Sequence, residues 1–470
     1  MSSLGKNSQS QFSSFNDFLN QVNLAPTAAE KDQLIQSYLS QQRNAVNIPI
    51  TEQENCTFIY YGVALTVQVA GDFNGWSGED LQKISDTNLW YITKEFPRDA
   101  RLDYKLIVDG NWILDPENDR LIMGGYGPNS ELLMPDYKMD PAIIKYEYVP
   151  SGTIETINDF TSTYRNNKRT IEVYLPPDYD ESKQYPSFYV MDGLEYIDLA
   201  NFDNVLDYLI FNGLIQEIIV VFVPPVDRGV EYYENLDFLS LLTKELIPLI
   251  DSTYSTIPNR TERGMMGASL GGFISIAAGF YEESSFGQIA SQSGYFESSM
   301  IGKYSIGQLD IKFYLDVGTF ETSISSTDLL AINRQMNQTM DQVGNTYFYQ
   351  EVPEGHSWGN WRAHLDDILT YFFPGDGVSK NTTTLATTLP ATTTVPTTTT
   401  TTTTTSPTTT SVNTTFQTST TTIKPTTTKS SINDTDTSTT TQTSSDITPI
   451  SLLGVSLGIL TLLKRKLRKS

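Results

Sequence analysis

One short run constrains this chain more than any other: Arg263-Gly-Met-Met-Gly-Ala-Ser269-Leu-Gly-Gly-Phe273. It carries the pattern G-x-S-x-G on Gly267, Ser269 and Gly271, with an apolar run before it and a small-residue helical run, Phe273 to Tyr281, after it. That order predicts a strand, a sharp turn and a helix. The turn needs glycines because its backbone is strained and neighbouring side chains would clash. It lifts the serine oxygen out of the sheet and sets it beside the positive end of the helix dipole.

A serine is a poor nucleophile until a base takes its proton. The chain holds two histidines. His356 lies in Glu351-Val-Pro-Glu-Gly-His-Ser-Trp358, just past the last β-rich run, where a loop can reach the carboxyl edge of a sheet. His364 falls in a helical pattern with Trp361, Leu365, Ile368 and Leu369 and reads as a surface or packing residue. His356 is therefore the expected base. A third member must orient the imidazole and stabilise its charged form. The chain order Ser, acid, His puts it between 269 and 356. In Phe313-Tyr-Leu-Asp-Val-Gly-Thr-Phe-Glu-Thr322 two acids compete: Glu321 on the loop, which is favoured, and Asp316 inside the strand, which could instead hold the loop by hydrogen bonds. The oxyanion needs backbone donors. The expected pair is the N–H of Leu270, directly after the serine, and the N–H of Leu194 in Tyr189-Val-Met-Asp-Gly-Leu-Glu195, a run that also fits a simple tight turn. Arg228 and Glu231 follow another strand and either line the cleft or form a structural ion pair.

The 470 residues leave room for two or three domains. A net charge of −24 speaks against nucleic acid, which needs Lys and Arg to neutralise phosphates, and against polyanionic substrates. The single cysteine, Cys56, excludes an intrachain disulfide and has no histidine near it in sequence. Two histidines and one cysteine cannot build a usual zinc site, so no metal is expected, and chemistry on an activated serine needs no cofactor.

Composition divides the chain. Residues 1–47 have helical apolar spacing (Phe12, Phe15, Phe18, Leu19, Val22, then Leu34, Ile35, Tyr38, Leu39) and predict two short helices broken at Pro26. Residues 48–140 alternate apolar and polar, with turns at Asp72-Phe-Asn-Gly75 and Asp109-Gly110, and predict a small β-sandwich. Residues 150–375 interleave β-rich runs with helical patterns and predict an α/β domain on a parallel sheet. Residues 379–446 form a Thr-rich stalk that cannot bury a core. The apolar stretch 447–463 is at the short end for a membrane anchor. The basic tail 464–470 would stay cytoplasmic and place the rest outside. Sequons at Asn381, Asn413 and Asn433 fit that topology, although Met1 to Ser10 lacks the apolar core of a secretory signal. Cell-surface display on a C-terminal anchor is the expectation; a tail-anchored protein facing the cytosol is the alternative.

Residues 150–375 resemble the putative-esterase family of α/β-hydrolases, which includes enterochelin esterases, feruloyl and acetyl-xylan esterases and mycolyltransferases. The matching pieces are Met191-Asp-Gly-Leu194, Gly267-Ala-Ser-Leu-Gly-Gly272, Ser291-Gln-Ser-Gly294, Asp316-Val-Gly-Thr-Phe-Glu321 and Glu354-Gly-His-Ser-Trp358. The resemblance implies Ser269 as nucleophile, Glu321 as acid and His356 as base; some family members work with a Ser–His dyad. Residues 50–137 look like the early-set sandwich that precedes the hydrolase in enterochelin-esterase-like proteins, through Val69-Ala-Gly-Asp-Phe-Asn-Gly-Trp76, Tyr104-Lys-Leu-Ile-Val-Asp-Gly-Asn-Trp112 and Asp115-Pro-Glu-Asn118. The same pattern marks glycogen-binding modules, and the positions matching their sugar-gripping residues are Trp76, Lys105, Trp112 and Asn129. The resemblance thus implies a serine carboxylic-ester hydrolase acting on a siderophore ester or a carbohydrate-linked feruloyl or acetyl ester. An acyltransferase and a carbohydrate-binding surface protein with an inactive hydrolase domain are the competing expectations.

Overall fold

The computed structural model describes residues 12–377. The Thr-rich stretch 379–446, the apolar stretch 447–463 and the basic tail 464–470 lie outside the described residues. Among the described residues no helix is long and apolar enough to cross a membrane.

The larger sheet has eight strands: β1 (Thr153–Ser162), β2 (Asn167–Leu175), β3 (Ser187–Met191), β4 (Ile219–Val223), β5 (Arg263–Ala268), β6 (Gln288–Gln292), β7 (Lys312–Gly318) and β8 (Thr346–Val352). Their order is β1-β2-β4-β3-β5-β6-β7-β8. β2 runs antiparallel to both neighbours; from β4 to β8 every pairing is parallel. The central strands are apolar at consecutive positions because helices cover both faces. Ile219, Val221 and Val223 enter one core with Tyr189 and Met191, while Val220 and Phe222 enter the opposite one with Phe188 and Val190. Parallel strands end on one edge. The chain therefore leaves β3, β5, β7 and β8 on the same side of the sheet, the usual ligand side of an open α/β sheet. This is the α/β-hydrolase fold, preceded by a β-rich region.

That region is built from two sheets. One orders Ile50–Glu52, Asn55–Tyr61, Leu89–Glu95 and Gln82–Lys83; the other orders Glu79–Asp80, Val67–Gly71, Arg101–Val108, Gly127–Leu133 and Leu121–Gly124, with Asn111–Ile113 also on Arg101–Val108. Side chains alternate along a strand. In Asn55–Tyr61, Cys56, Phe58 and Tyr60 face the inter-sheet core with Val69, Leu102, Tyr104 and Leu106. Ile59 and Tyr61 face outward, yet they too are covered. Helices Phe15–Leu24 and Ala28–Asn44, separated at Pro26, lay Phe15, Phe18, Val22, Ile35, Tyr38 and Leu39 on that outer face. The helical segment is thus a third layer of the sandwich. Ser14 and Thr27 cap the two helices by accepting from Asp17 and Glu30 N–H.

Phe18 is fully buried and stacks on Tyr38 at 4.1 Å and 10°. Phe18→Ala is predicted to destabilise the sandwich by about 3–5 kcal/mol through the lost burial and the cavity it leaves. Denaturant unfolding measures this; a change under about 1 kcal/mol would show that the helical layer adds little.

Candidate active site

Ser269 stands between β5 and helix Leu270–Tyr281 with φ 58° and ψ −118°. A non-glycine residue at positive φ is strained. Here the strain is held by hydrogen bonds, from Ser269 N–H to Gln292 O at 2.8 Å and from Tyr295 N–H to Ser269 O at 3.2 Å. The turn closes tightly: a Cβ on Gly267 would meet the Gly271 carbonyl carbon at 2.5 Å. Ser269 itself is half-buried and reaches the surface at the carboxyl edge of the sheet.

Glu321 follows β7 and His356 follows β8, so both loops emerge at that same edge. His356 Nδ1 lies 2.6 Å from Glu321 Oε2. With Nδ1 committed to the carboxylate, it carries the proton, and Nε2 is the nitrogen free to accept one. Glu321 is fully buried. Its other oxygen, Oε1, accepts from Ser293 Oγ at 2.6 Å, from Gly318 N–H at 2.8 Å and from Asn360 Nδ2 at 3.4 Å. Trp361 stands edge-on to the imidazole at 5.1 Å and donates its indole N–H to Ser293 Oγ at 3.0 Å. Ser293, Asn360 and Trp361 are parts of this arrangement that sequence reasoning did not single out. The only signal for Ser293 was its place in Ser291-Gln-Ser-Gly294.

Asp316 does not pair with His356. It lies within β7, where the pleat sets its direction, and its Oδ2 accepts from Gln292 Nε2 at 3.3 Å. Burial pushes its carboxyl up to about 7, although His364 works the other way. His364 is also not a surface residue. It sits between helices Trp358–Ala363 and Leu365–Phe372, with Nε2 3.3 Å from Glu354 Oε1 and Nδ1 3.4 Å from Asp367 Oδ2. Burial opposes its charge, but these carboxylates outweigh it and push the imidazole up to about 10.

Leu194 is the second residue of helix Gly193–Ala200, and Leu270 is the first of its helix. Amides at these positions have no intrahelical acceptor. β3 and β5 are adjacent, so the two helix starts are neighbours at the sheet edge. Arg228 spans them. Its guanidinium forks onto Asp192, with Nε–Oδ1 2.9 Å and Nη2–Oδ2 2.8 Å, and Nη2 also donates to Ala268 O at 3.0 Å. Glu231 is buried and pairs with Arg169 at 2.7 Å. Both charges therefore make ion pairs, Glu231 fully buried and Arg228 with 32% of its side chain still exposed.

In the sandwich, Trp76 and Trp112 lie near-parallel, centroids 6.5 Å apart at 28°. Trp112 is 51% exposed. Lys105 is half-buried on Arg101–Val108. Asn129 donates to Asp103 Oδ2 at 2.9 Å and Trp76 Nε1 to Asp72 Oδ1 at 3.1 Å, so both have polar groups already used inside the domain. Cys56 is buried in the inter-sheet core, where burial raises its thiol well above the ordinary range. Among the described residues no group of three His, Cys, Asp or Glu is arranged to hold a metal.

Residues 162–372 match the family described as putative esterase. The chain is 26% identical to the uncharacterized protein YjcH of Bacillus subtilis, over 47% of this chain and 97% of that one. It is 26% identical to the endo-1,4-beta-xylanase/feruloyl esterase of Xylanibacter ruminicola, over 44% of this chain and 30% of that one. Among solved structures it is similar to the ferric enterobactin esterase of Salmonella typhimurium, with TM-score 0.61 and 19% identity, over 71% of this chain and 98% of that one. That likeness extends beyond the hydrolase fold to the β-rich region.

The His364 cluster makes a pH prediction. A histidine raised from 6.5 to about 10 contributes stability that is complete below pH 6.5 and is lost as pH rises through 10, because the unfolded chain sheds the proton first. The unfolding midpoint should fall over that window, and His364→Gln should flatten the fall. Equal slopes in the two proteins would refute it.

Proposed function

From the premise that residues 162–372 belong to the putative esterase family, and that the chain is a carboxylic ester hydrolase, we propose that it works through an acyl-enzyme on Ser269 with His356 as base and Glu321 as its partner. The observation that carries this reading is the 2.6 Å contact of His356 Nδ1 with a fully buried carboxylate, on the sheet edge where the strained serine stands. Ser269 Oγ attacks the ester carbonyl as His356 Nε2 takes its proton. The carbonyl oxygen becomes an oxyanion, met by the N–H groups of Leu270 and Leu194; one such donor is worth about 10²–10³ in rate. As the C–O bond to the alcohol breaks, His356 returns the proton to the departing oxygen. Water repeats the cycle, giving its proton to His356 and releasing acid and serine. Glu321 keeps Nδ1 protonated and stabilises the imidazolium.

The substrate we favour is an aromatic or acetyl ester joined to carbohydrate. The near-parallel Trp76–Trp112 pair, with Trp112 exposed and Trp76 half-buried, supports this, since indole faces stack on sugar rings. The net charge of −24 weighs against an anionic, iron-loaded siderophore ester. In this reading the apolar stretch 447–463 would anchor the enzyme at the cell surface.

Ser269→Ala should lower p-nitrophenyl butyrate turnover by more than about 10³-fold, and Glu321→Gln by about 10²–10⁴-fold. Rates equal to wild type in Ser269→Ala would end the mechanism. In a panel of feruloyl- and acetyl-sugar esters against a catecholate siderophore trilactone, the sugar esters should show the higher kcat/KM; the reverse order would overturn the substrate assignment alone. Trp112→Ala should weaken retention on an insoluble glucan, and unchanged retention would remove the sandwich from sugar recognition.

A further inference from the structure

The loop that carries His356 is held from the other domain. Arg101, on sandwich strand Arg101–Val108, donates its backbone N–H to Pro353 O at 3.2 Å and its Nη1 to Ser357 Oγ at 3.0 Å. Asp72, in the sandwich turn Asp72–Asn74, packs so closely on Gly355 that a Cβ there would overlap its carboxylate. The Arg101 guanidinium lies against Gly359 just as tightly, so a Cβ there would displace it. Residues 353, 355, 357 and 359 thus meet the sandwich, while His356 between them meets Glu321.

The guanidinium has no exposure. Its Nη2 is 2.6 Å from Asp103, its Nε 2.8 Å from Glu131, and its Nη1 3.9 Å from Glu354. Ser357 is also the N-cap of helix Trp358–Ala363. A cation beside a helix N-terminus is disfavoured by the dipole, and a buried ion pair seldom gains stability over apolar packing. Stability alone gives little reason for this placement. What the cap fixes is the next turn of helix: Asn360 donates to Gly355 O at 2.9 Å and reaches Glu321 Oε1, and Trp361 stands against the imidazole. The acid loop is braced from the same domain, since Phe320 packs on Phe96 at 5.9 Å, and it is joined to the histidine loop where Phe320 donates its N–H to Glu354 O at 3.1 Å.

We propose that Arg101 is a positioning residue of the ester-cleaving reaction: its guanidinium holds the loop 353–359 in the register that sets His356 against Glu321. This rests on the reading of His356 as the base. A small misplacement of a catalytic group costs up to about 100-fold in rate. Arg101→Met in the full chain should therefore lower kcat on p-nitrophenyl butyrate by about 10–100-fold with KM within about threefold. Arg101→Lys, which keeps the charge but not the planar fork, should recover only part of it. The downfield proton resonance of the His356–Glu321 hydrogen bond should weaken in parallel. Gly359→Ala leaves Arg101 in the sequence but displaces its guanidinium, and should give the same kcat loss. Ser357→Ala, the mildest change, serves if the others fail to fold, and should lower kcat at unchanged KM. Wild-type kcat and an unaltered resonance in folded Arg101→Met, Gly359→Ala or Ser357→Ala would overturn the proposal. The underlying reading fails separately, if His356→Ala retains wild-type turnover.

Discussion

A carboxylate with no exposure to water is tolerated only when its oxygens find donors. Glu321 meets that requirement with four, one on Oε2 and three on Oε1. Each donor comes from a different stretch of chain: the end of β7, the turn after β6, the loop after β8 and the helix beyond it. Satisfying this one group therefore joins the carboxyl edge of the sheet into a single piece. With Oε1 held by three donors, Oε2 is the oxygen turned toward the imidazole.

The opposite side of the serine is organised by a second charge. Arg228 is shared between Asp192, which opens the helix carrying Leu194, and the carbonyl of Ala268, one residue before Ser269. It ties the two free helix starts together. The edge is thus bracketed by two charged groups that do not meet substrate in this reading, and the half-buried serine lies between them. The sandwich completes the frame. Its strand Arg101–Val108 touches the histidine loop through Arg101, so the sandwich braces that loop.

Local features were legible because their cause is local. The elbow at Gly267, Ser269 and Gly271 follows from backbone sterics within five residues. The helix break at Pro26 follows from a missing N–H and a fixed φ. The turn at Asp109-Gly110, both at positive φ, likewise declares itself in two residues. What failed to read were contacts between distant segments. His364 has helical spacing that suits a surface or packing position, yet Asp316 from the distant strand β7 joins the nearer Glu354 and Asp367 around it. Asp316 and Glu321 could be ranked by distance from the strand end, but only the packed loops show which one has room to face an imidazole. Arg228 and Glu231 sit three residues apart in sequence and serve unrelated partners.

Taken alone, the order of residues determined the elements and the kind of chemistry: a strand–serine–helix turn, a late histidine, acids between them, and a β-rich segment ahead. These depend on periodicity, glycine placement and side-chain type, which need no knowledge of neighbours. The tertiary structure decided the pairings. It put Glu321 rather than Asp316 on His356, laid the N-terminal helices on the sandwich, and drove Arg101 across the domain boundary into the histidine loop. The reason is that a buried charge is governed by whichever groups surround it in space, and those groups are far apart along the chain.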